Sequence, residues 1–219
     1  MNELYAAALF DLSHTIASQL LSSVTYPWEA LPKISDFILE IGSELNTNEY
    51  YSPKKGVWIA KDALIYESAS ISSPCIIGKG AEIRHCAFIR GSAIIGCGAL
   101  VGNSCEIKNS ILFDEAKLPH FNYAGDSIIG HKAHLGAGVI TSNIKSDKSL
   151  ISVCHIPTNL KKMGAMIGDY VEVGCNTVLN PGTVIGADSI VYPSSSVRGF
   201  IKGGHIYKSP DNIIKKERS

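Results

Sequence analysis

Charge is scarce in this chain. Of its 219 residues only 18% are Asp, Glu, Lys or Arg, against 45% hydrophobic. The 20 Lys and Arg match the 20 Asp and Glu, so there is no net charge to draw a polyelectrolyte, and nucleic acid is not an expected partner. So little charge also predicts that part of the surface is buried against copies of the same chain. No apolar run approaches the ~18 residues of a membrane span, and the N-terminus lacks the basic start and long apolar stretch of a signal peptide. No membrane association is expected. No C-x-x-C pair or finger-like spacing links the six cysteines Cys75, Cys86, Cys97, Cys105, Cys154 and Cys175. Four of them fall within the repeat described next, at positions that want small side chains. They are expected as reduced thiols serving as small apolar residues, which places the protein in the cytoplasm.

What the chain does have is a repeat of six. Aliphatic residues recur at Ile59, Ile65, Ile71, Ile77, Ile83, Ile89, Ile95, Val101 and Ile107, and again at Ile167, Val173, Leu179, Ile185, Val191 and Val197. Small or β-branched residues follow four positions later, as at Ala81, Ala87, Cys105 and Thr183. Helices need a spacing near 3.6 and ordinary strands 2, so a long-range period of six fits neither. Six residues make one short strand and one corner, and three such units close a triangular coil. The aliphatic residue then points inward and stacks on its counterpart about eighteen residues on, giving a quasi-one-dimensional core. Glycine often follows the aliphatic residue directly, as at Gly78, Gly102 and Gly174, and is expected to relieve the corner by taking a positive φ. The fold expected is a left-handed parallel β-helix over 56–200. Its phase slips by one residue before Leu112 and again before Ile129, which marks corners with a residue missing. Residues 142–166 have no six-residue phase and read as a functional loop thrown out of the helix. Ahead of it, 1–55 carries apolar residues at helical spacing and predicts two helices. These would pack on the end of the solenoid or on a partner subunit. The basic segment 201–219 reads as a strand or loop followed by a frayed tail.

Within this frame the stretches "VGNSCEIKNS", "KLPHFNYAGDSIIG" and "HLGAGVITSN" resemble the acetyltransferase domain of the bifunctional N-acetylglucosamine-1-phosphate uridyltransferases, a branch of the hexapeptide-repeat acyltransferases. The later "KKMGAMIGDYVEVGCNTVLNPGTVIG" is similar to the related archaeal sugar-phosphate nucleotidyl/acetyltransferases. The resemblance covers about 57–200. It implies an acetyl-CoA-dependent N-acetyltransferase acting on an amino-sugar phosphate, working as a homotrimer. Uridyltransferase activity is not expected, since 55 residues ahead of the solenoid are too few for that domain and contain no glycine-rich phosphate loop.

Residue by residue, the resemblance puts His120 on the general base, a role that suits an imidazole asked to deprotonate an ammonium. Arg90 and Lys108 fall on phosphate-binding cations, and their eighteen-residue separation places them on one face of successive coils. Glu106 falls on the acceptor-orienting carboxylate, Tyr123 on a sugar contact, and Asn143 on the last member before the loop. On the donor side Ala137 and Cys175 match positions whose backbone lines the pantetheine slot, with a plain corner role equally open. Two departures bear on the sugar. His134 stands where the family commonly has a sugar-contacting Asn, and Ile144 replaces a Tyr. The loop lysine of the phosphate clamp is assigned to Lys148, with Lys161 and Lys162 as rivals. Two other functions fit the repeat. A γ-class carbonic anhydrase would draw zinc ligands from His85, His120, His131 and His134, but Gly125 stands where that family needs a histidine. A non-catalytic solenoid, acting as scaffold or sugar-nucleotide sensor, needs none of these roles.

Overall fold

The structure is a computed structural model and describes residues 2–217. The chain winds as a parallel β-helix of about eight coils, each coil laying one strand of two to four residues on each of three faces. Strands such as Val57–Ala60, Cys75–Ile77, Ala93–Ile95, Ser110–Leu112 and Ala165–Ile167 build the first face. Glu82–Ile83, Leu100–Asn103, Lys117–His120 and His134–Leu135 belong to the second, and Phe88–Ile89, Glu106–Lys108, Tyr123–Gly125 and Ile140–Thr141 to the third. The residues of the six-fold series are the inward ones. Ile77, Ile95, Leu112, Ile129, Ile167 and Ile185 stack in register up the first face and are fully buried. At about 1.5–3 kcal/mol per buried aliphatic side chain, these ladders are what holds the coils together. The two slips lie at the corner leading into the first face. The register step is eighteen residues from Ile77 to Ile95, then seventeen from Ile95 to Leu112 and from Leu112 to Ile129.

Glycine plays a different part from the one expected. Neither Gly78, Gly102 nor Gly174 has a positive φ. A Cβ on any of them would lie within 3.0 Å of backbone in the next coil, for instance Pro119 beneath Gly102 and Pro193 beneath Gly174. They are small because the coils approach closely. The left-handed corner residue comes two positions later, and is usually not glycine: Ser104 (φ 54°), Phe121 (φ 53°) and Asn176 (φ 56°) hold it on one edge.

The N-terminal segment departs from the expected pair of helices. Its first half breaks into short turns, with α-helix only at Ala6–Leu9 and Ser18–Ser22. Asp11 is the reason: its carboxylate accepts from the N–H of Ser13 (3.0 Å) and its own N–H goes to Asp169 Oδ2 (2.6 Å), so helical hydrogen bonding stops there. The second helix forms as Ile34–Gly42. The segment packs along the outside of the first face rather than on the end of the solenoid. Trp28, Ile34 and Ile38 bury themselves against Ile76, Ile94, Ile111 and Phe113. The outward residues of this face are themselves aliphatic, so leaving it bare would expose a continuous apolar wall.

The loop after the fifth coil is also less detached than its sequence suggests. It carries a small hairpin, Ser152–Val153 with Ile156–Pro157, and turns Ile151, Val153 and Met163 down into the same outer core, beside Met166 and Val184. Beyond residue 200 the solenoid continues through Phe200–Ile201 and His205–Ser209, and Asn212–Lys215 folds back antiparallel on the latter. The last two residues of the expected tail lie outside the described residues. The cysteines divide. Cys75 and Cys105 are interior as expected, whereas Cys86, Cys97, Cys154 and Cys175 are exposed. Burial pushes the Cys75 thiol up to about 12.

Candidate active site

Two groups of residues carry the expected roles, one along the edge between the second and third faces and one across the third face to its far corner. The first is a column along that edge. His85, Asn103, His120, Ala137 and Cys175 occupy the same corner of successive coils, tied by N–H to carbonyl bonds from Phe121 to Asn103 (2.9 Å), Gly138 to His120 (3.0 Å) and Asn176 to Ala137 (2.8 Å). The expected base and the two expected donor-side residues thus share one line, with Ala137 one coil beyond His120 and Cys175 the next. His120 ends the strand Lys117–His120 and is exposed. Its ring makes no hydrogen bond to any described residue, and its nearest aromatic neighbour is Phe121, 6.4 Å between centroids.

The second group lies on the outside of the third face. Arg90, Glu106, Lys108 and Tyr123 project from consecutive strands. Arg90 Nη1 donates to Glu106 Oε1 (2.7 Å), and this bond raises the guanidinium above its ordinary range. Lys108 Nζ pairs with Asp126 Oδ2 (3.0 Å). Asp126 also accepts from Asn109 Nδ2 (2.8 Å) and Asn143 Nδ2 (2.5 Å), and Asn143 Nδ2 reaches Tyr123 Oη (3.2 Å). Burial is the main cause that lifts the Tyr123 phenol above its usual range, with the neighbouring Asp126 and Glu106 acting the same way. Gly125 makes this arrangement possible, since a Cβ there would collide with the Tyr123 ring, which lies back across it. Lys108, Tyr123 and Asn143 are therefore joined through a further residue, Asp126, while Arg90 and Glu106 form a separate pair on the same face. Asp126 follows His120, Tyr123 and Gly125 in the stretch "KLPHFNYAGDSIIG", whose resemblance gives it no role. Its position at a corner one residue short was the available signal.

Two expected residues stand apart. His134 projects from the second face, paired in register with Lys117, and its Nδ1 bonds Glu172 Oε2 (2.8 Å) in a shallow polar depression shared with Glu115, Lys117 and Lys132. Lys148 is exposed in a turn closed on Lys145 (3.0 Å), with no ion pair to any described residue, and Lys161 and Lys162 are likewise exposed. Of the other histidines weighed as zinc ligands, His85 lies two coils from His120, while His131 is buried at a different edge, stacked on His14 at 3.8 Å.

The chain is 36% identical over 122 residues to the bifunctional protein GlmU of Methanococcus maripaludis, a match covering 54% of this chain and 30% of that protein. It is 34% identical over 111 residues to a bifunctional sugar-1-phosphate nucleotidylyltransferase/acetyltransferase of Sulfurisphaera tokodaii, covering 49% of this chain and 28% of the other. The chain thus spans about 30% of the length of the curated relatives it matches. A solved UDP-N-acetylglucosamine acyltransferase from Campylobacter jejuni superposes with a TM-score of 0.40 at 15% identity, over 68% of this chain and 70% of that one. No helix among the described residues is long and apolar enough to cross a membrane. Residues 71–190, which hold every residue of both groups, match the family model of the GMPPB C-terminal domain, and the chain belongs to that family.

Proposed function

We propose that the protein is an acetyl-CoA-dependent N-acetyltransferase whose acceptor is an amino-sugar phosphate. The observation that carries this reading is that the two groups flank one face. A line of donor-side residues leads to His120 along one edge, and a cluster of two cations, two carboxylates, a phenol and an amide lies on the face that begins there. In the reaction proposed, acetyl-CoA lies along the edge past Cys175 and Ala137. Arg90, with Lys108, meets the phosphate, and Glu106 and Tyr123 orient the sugar. His120, free of any hydrogen bond that would occupy its ring, takes a proton from the substrate ammonium. The amine lone pair then attacks the thioester carbonyl. The tetrahedral intermediate collapses with cleavage of the C–S bond, and the nitrogen sheds its surplus proton as the amide forms, which balances the proton the departing thiolate takes up to become CoA.

Neither group encloses a substrate on its own, since His120 and Arg90 are both exposed. A homotrimer with the edge of one subunit facing its neighbour would close the site. Light scattering at micromolar concentration checks this, and a monomer counts against it. His134, on the outer side of the second face, and Lys148, on the exposed loop, are then residues for reaching substrate from a neighbouring subunit. A cytoplasmic setting supplies acetyl-CoA. Release of CoA thiol, followed across a panel of amino-sugar phosphates, tests the function directly. Thiol release with a panel member is the expected result, and its absence with all of them would leave the non-catalytic solenoid as the better reading.

A further inference from the structure

Both cations of the face cluster are already neutralised, but not equally. The Arg90–Glu106 pair is open to solvent, with side chains 45% and 33% exposed. In the Lys108–Asp126 pair the figures are 25% and 6%. An exposed pair is easily exchanged for a stronger anionic ligand, whereas a buried carboxylate with several donors is not. Asp126 has three side-chain donors, Lys108 and Asn109 from the coil before it and Asn143 from the coil after it. Its backbone extends the same junction. Its N–H donates to the Lys108 carbonyl (2.9 Å), and its carbonyl accepts from Gly164 (2.8 Å), while Met163 N–H bonds the Asn143 carbonyl (3.0 Å). Asn143 is where the loop leaves the solenoid, and Gly164 is where it returns. Asp126, at a left-handed corner (φ 49°), therefore joins Lys108 to both ends of the loop, through its carboxylate to Asn143 and through its backbone carbonyl to Gly164.

We infer that Asp126 is a positioning residue of the acceptor site: it fixes Lys108 and Asn143 at the neck of the loop and, by holding the Lys108 charge, weakens the site's grip on the anionic substrate in return for geometry. The inference rests on the transferase reading for its kinetic consequence, though not for its structural one. Asp126→Asn keeps the shape and removes the charge. It frees Lys108 to meet the phosphate but loosens the residues around it. The KM for the amino-sugar phosphate should fall about threefold or more while kcat falls about tenfold, with the KM for acetyl-CoA unchanged. Loss of fold alone does not move those two constants in the same downward direction. A KM that stays level or rises would overturn the inference.

Amide hydrogen exchange at Met163 and Gly164 supplies the reading that does not depend on turnover. It should accelerate about tenfold or more in Asp126→Asn, with the inner ladders protected as before. If the wild type acetylates nothing in the panel, the transferase reading fails while the exchange result still decides the role of Asp126. Unchanged exchange overturns it in either case. Should Asp126→Asn not fold, Asn143→Ala releases the loop and leaves the charge in place. Faster exchange at Met163 without a lowered KM is then expected, and a lowered KM would refute the charge assignment.

Discussion

The first face of the solenoid and the edge between its second and third faces are built on the same interior and differ only in what they turn outward. On the first face the outward residues Ile76, Ile94, Ile111 and Ile128 are aliphatic and fully buried beneath the N-terminal segment and the loop. On the third face the equivalent places hold Phe88, Glu106, Tyr123 and Ile140, paired strand to strand and exposed or half-buried among the described residues. The inward ladders make either surface rigid. Stability accumulates on the covered face, and the proposed site lies on the other, because an apolar wall must be dried and a site must stay reachable.

That contrast is easiest to break at His120. His120→Ala on the open edge should lower turnover by about 10²–10⁴-fold and leave thermal stability near wild type. The residual rate should recover partly as pH rises and solvent deprotonates the amine. Turnover that is unchanged, or lost only together with the fold, would make His120 a corner residue. The reverse is expected across the molecule. Ile111→Ala, under the N-terminal segment, should cost about 2–5 kcal/mol in denaturant unfolding, while Phe88→Ala, 39% exposed on the third face, should cost about 0.5 kcal/mol or less. Equal costs would mean that the N-terminal cover contributes nothing. Arg90→Ala sharpens the comparison within the open side. Losing a charged hydrogen-bond partner costs about 1.5–3 kcal/mol, so the KM for the sugar phosphate should rise roughly tenfold or more with that for acetyl-CoA unmoved. An equal effect on both substrates would remove Arg90 from the acceptor site.

The smallest effect is expected where the cover is pinned. Asp169 accepts from the N–H groups of Asp11 (2.6 Å) and His131 (2.7 Å), yet burial, the largest influence on it, raises its carboxyl above the ordinary 3.8. A raised carboxyl binds its proton more tightly in the folded state than in the unfolded one. Its contribution to stability is therefore fullest below the ordinary value and declines as pH climbs through the folded value. Asp169→Asn should flatten that decline in a series of melts taken upward from about pH 3.5. A slope that persists assigns it to other groups.

Much of this was legible in advance because it is local. A period of six can only be satisfied by a short strand and a corner, so the series from Ile59 to Ile107 and from Ile167 to Val197 determined the three faces, the inward ladders and even the two shortened corners. The family stretches singled out Lys108, Tyr123 and Asn143, which the fold brings together around Asp126. The outer wall was readable too, had it been sought, in the doubled aliphatics of every third repeat: Ile76 with Ile77, Ile94 with Ile95, Ile128 with Ile129. What periodicity could not contain were contacts that join distant positions without repeating. Asp11 meets Asp169 across 158 residues and breaks a helix that its own neighbours favour. Gly102 is small because Pro119 passes beneath it, and the glycines' expected role at the corners went instead to residues such as Phe121 and Asn176. Asp126 gathers Lys108, Asn109 and Asn143 only once three coils are stacked. The sequence by itself determined the coil, since each residue's inward or outward direction follows from its place in the hexad. Only the tertiary structure decided which face is covered and which charges are held, since burial and pairing depend on what the rest of the chain brings to that spot.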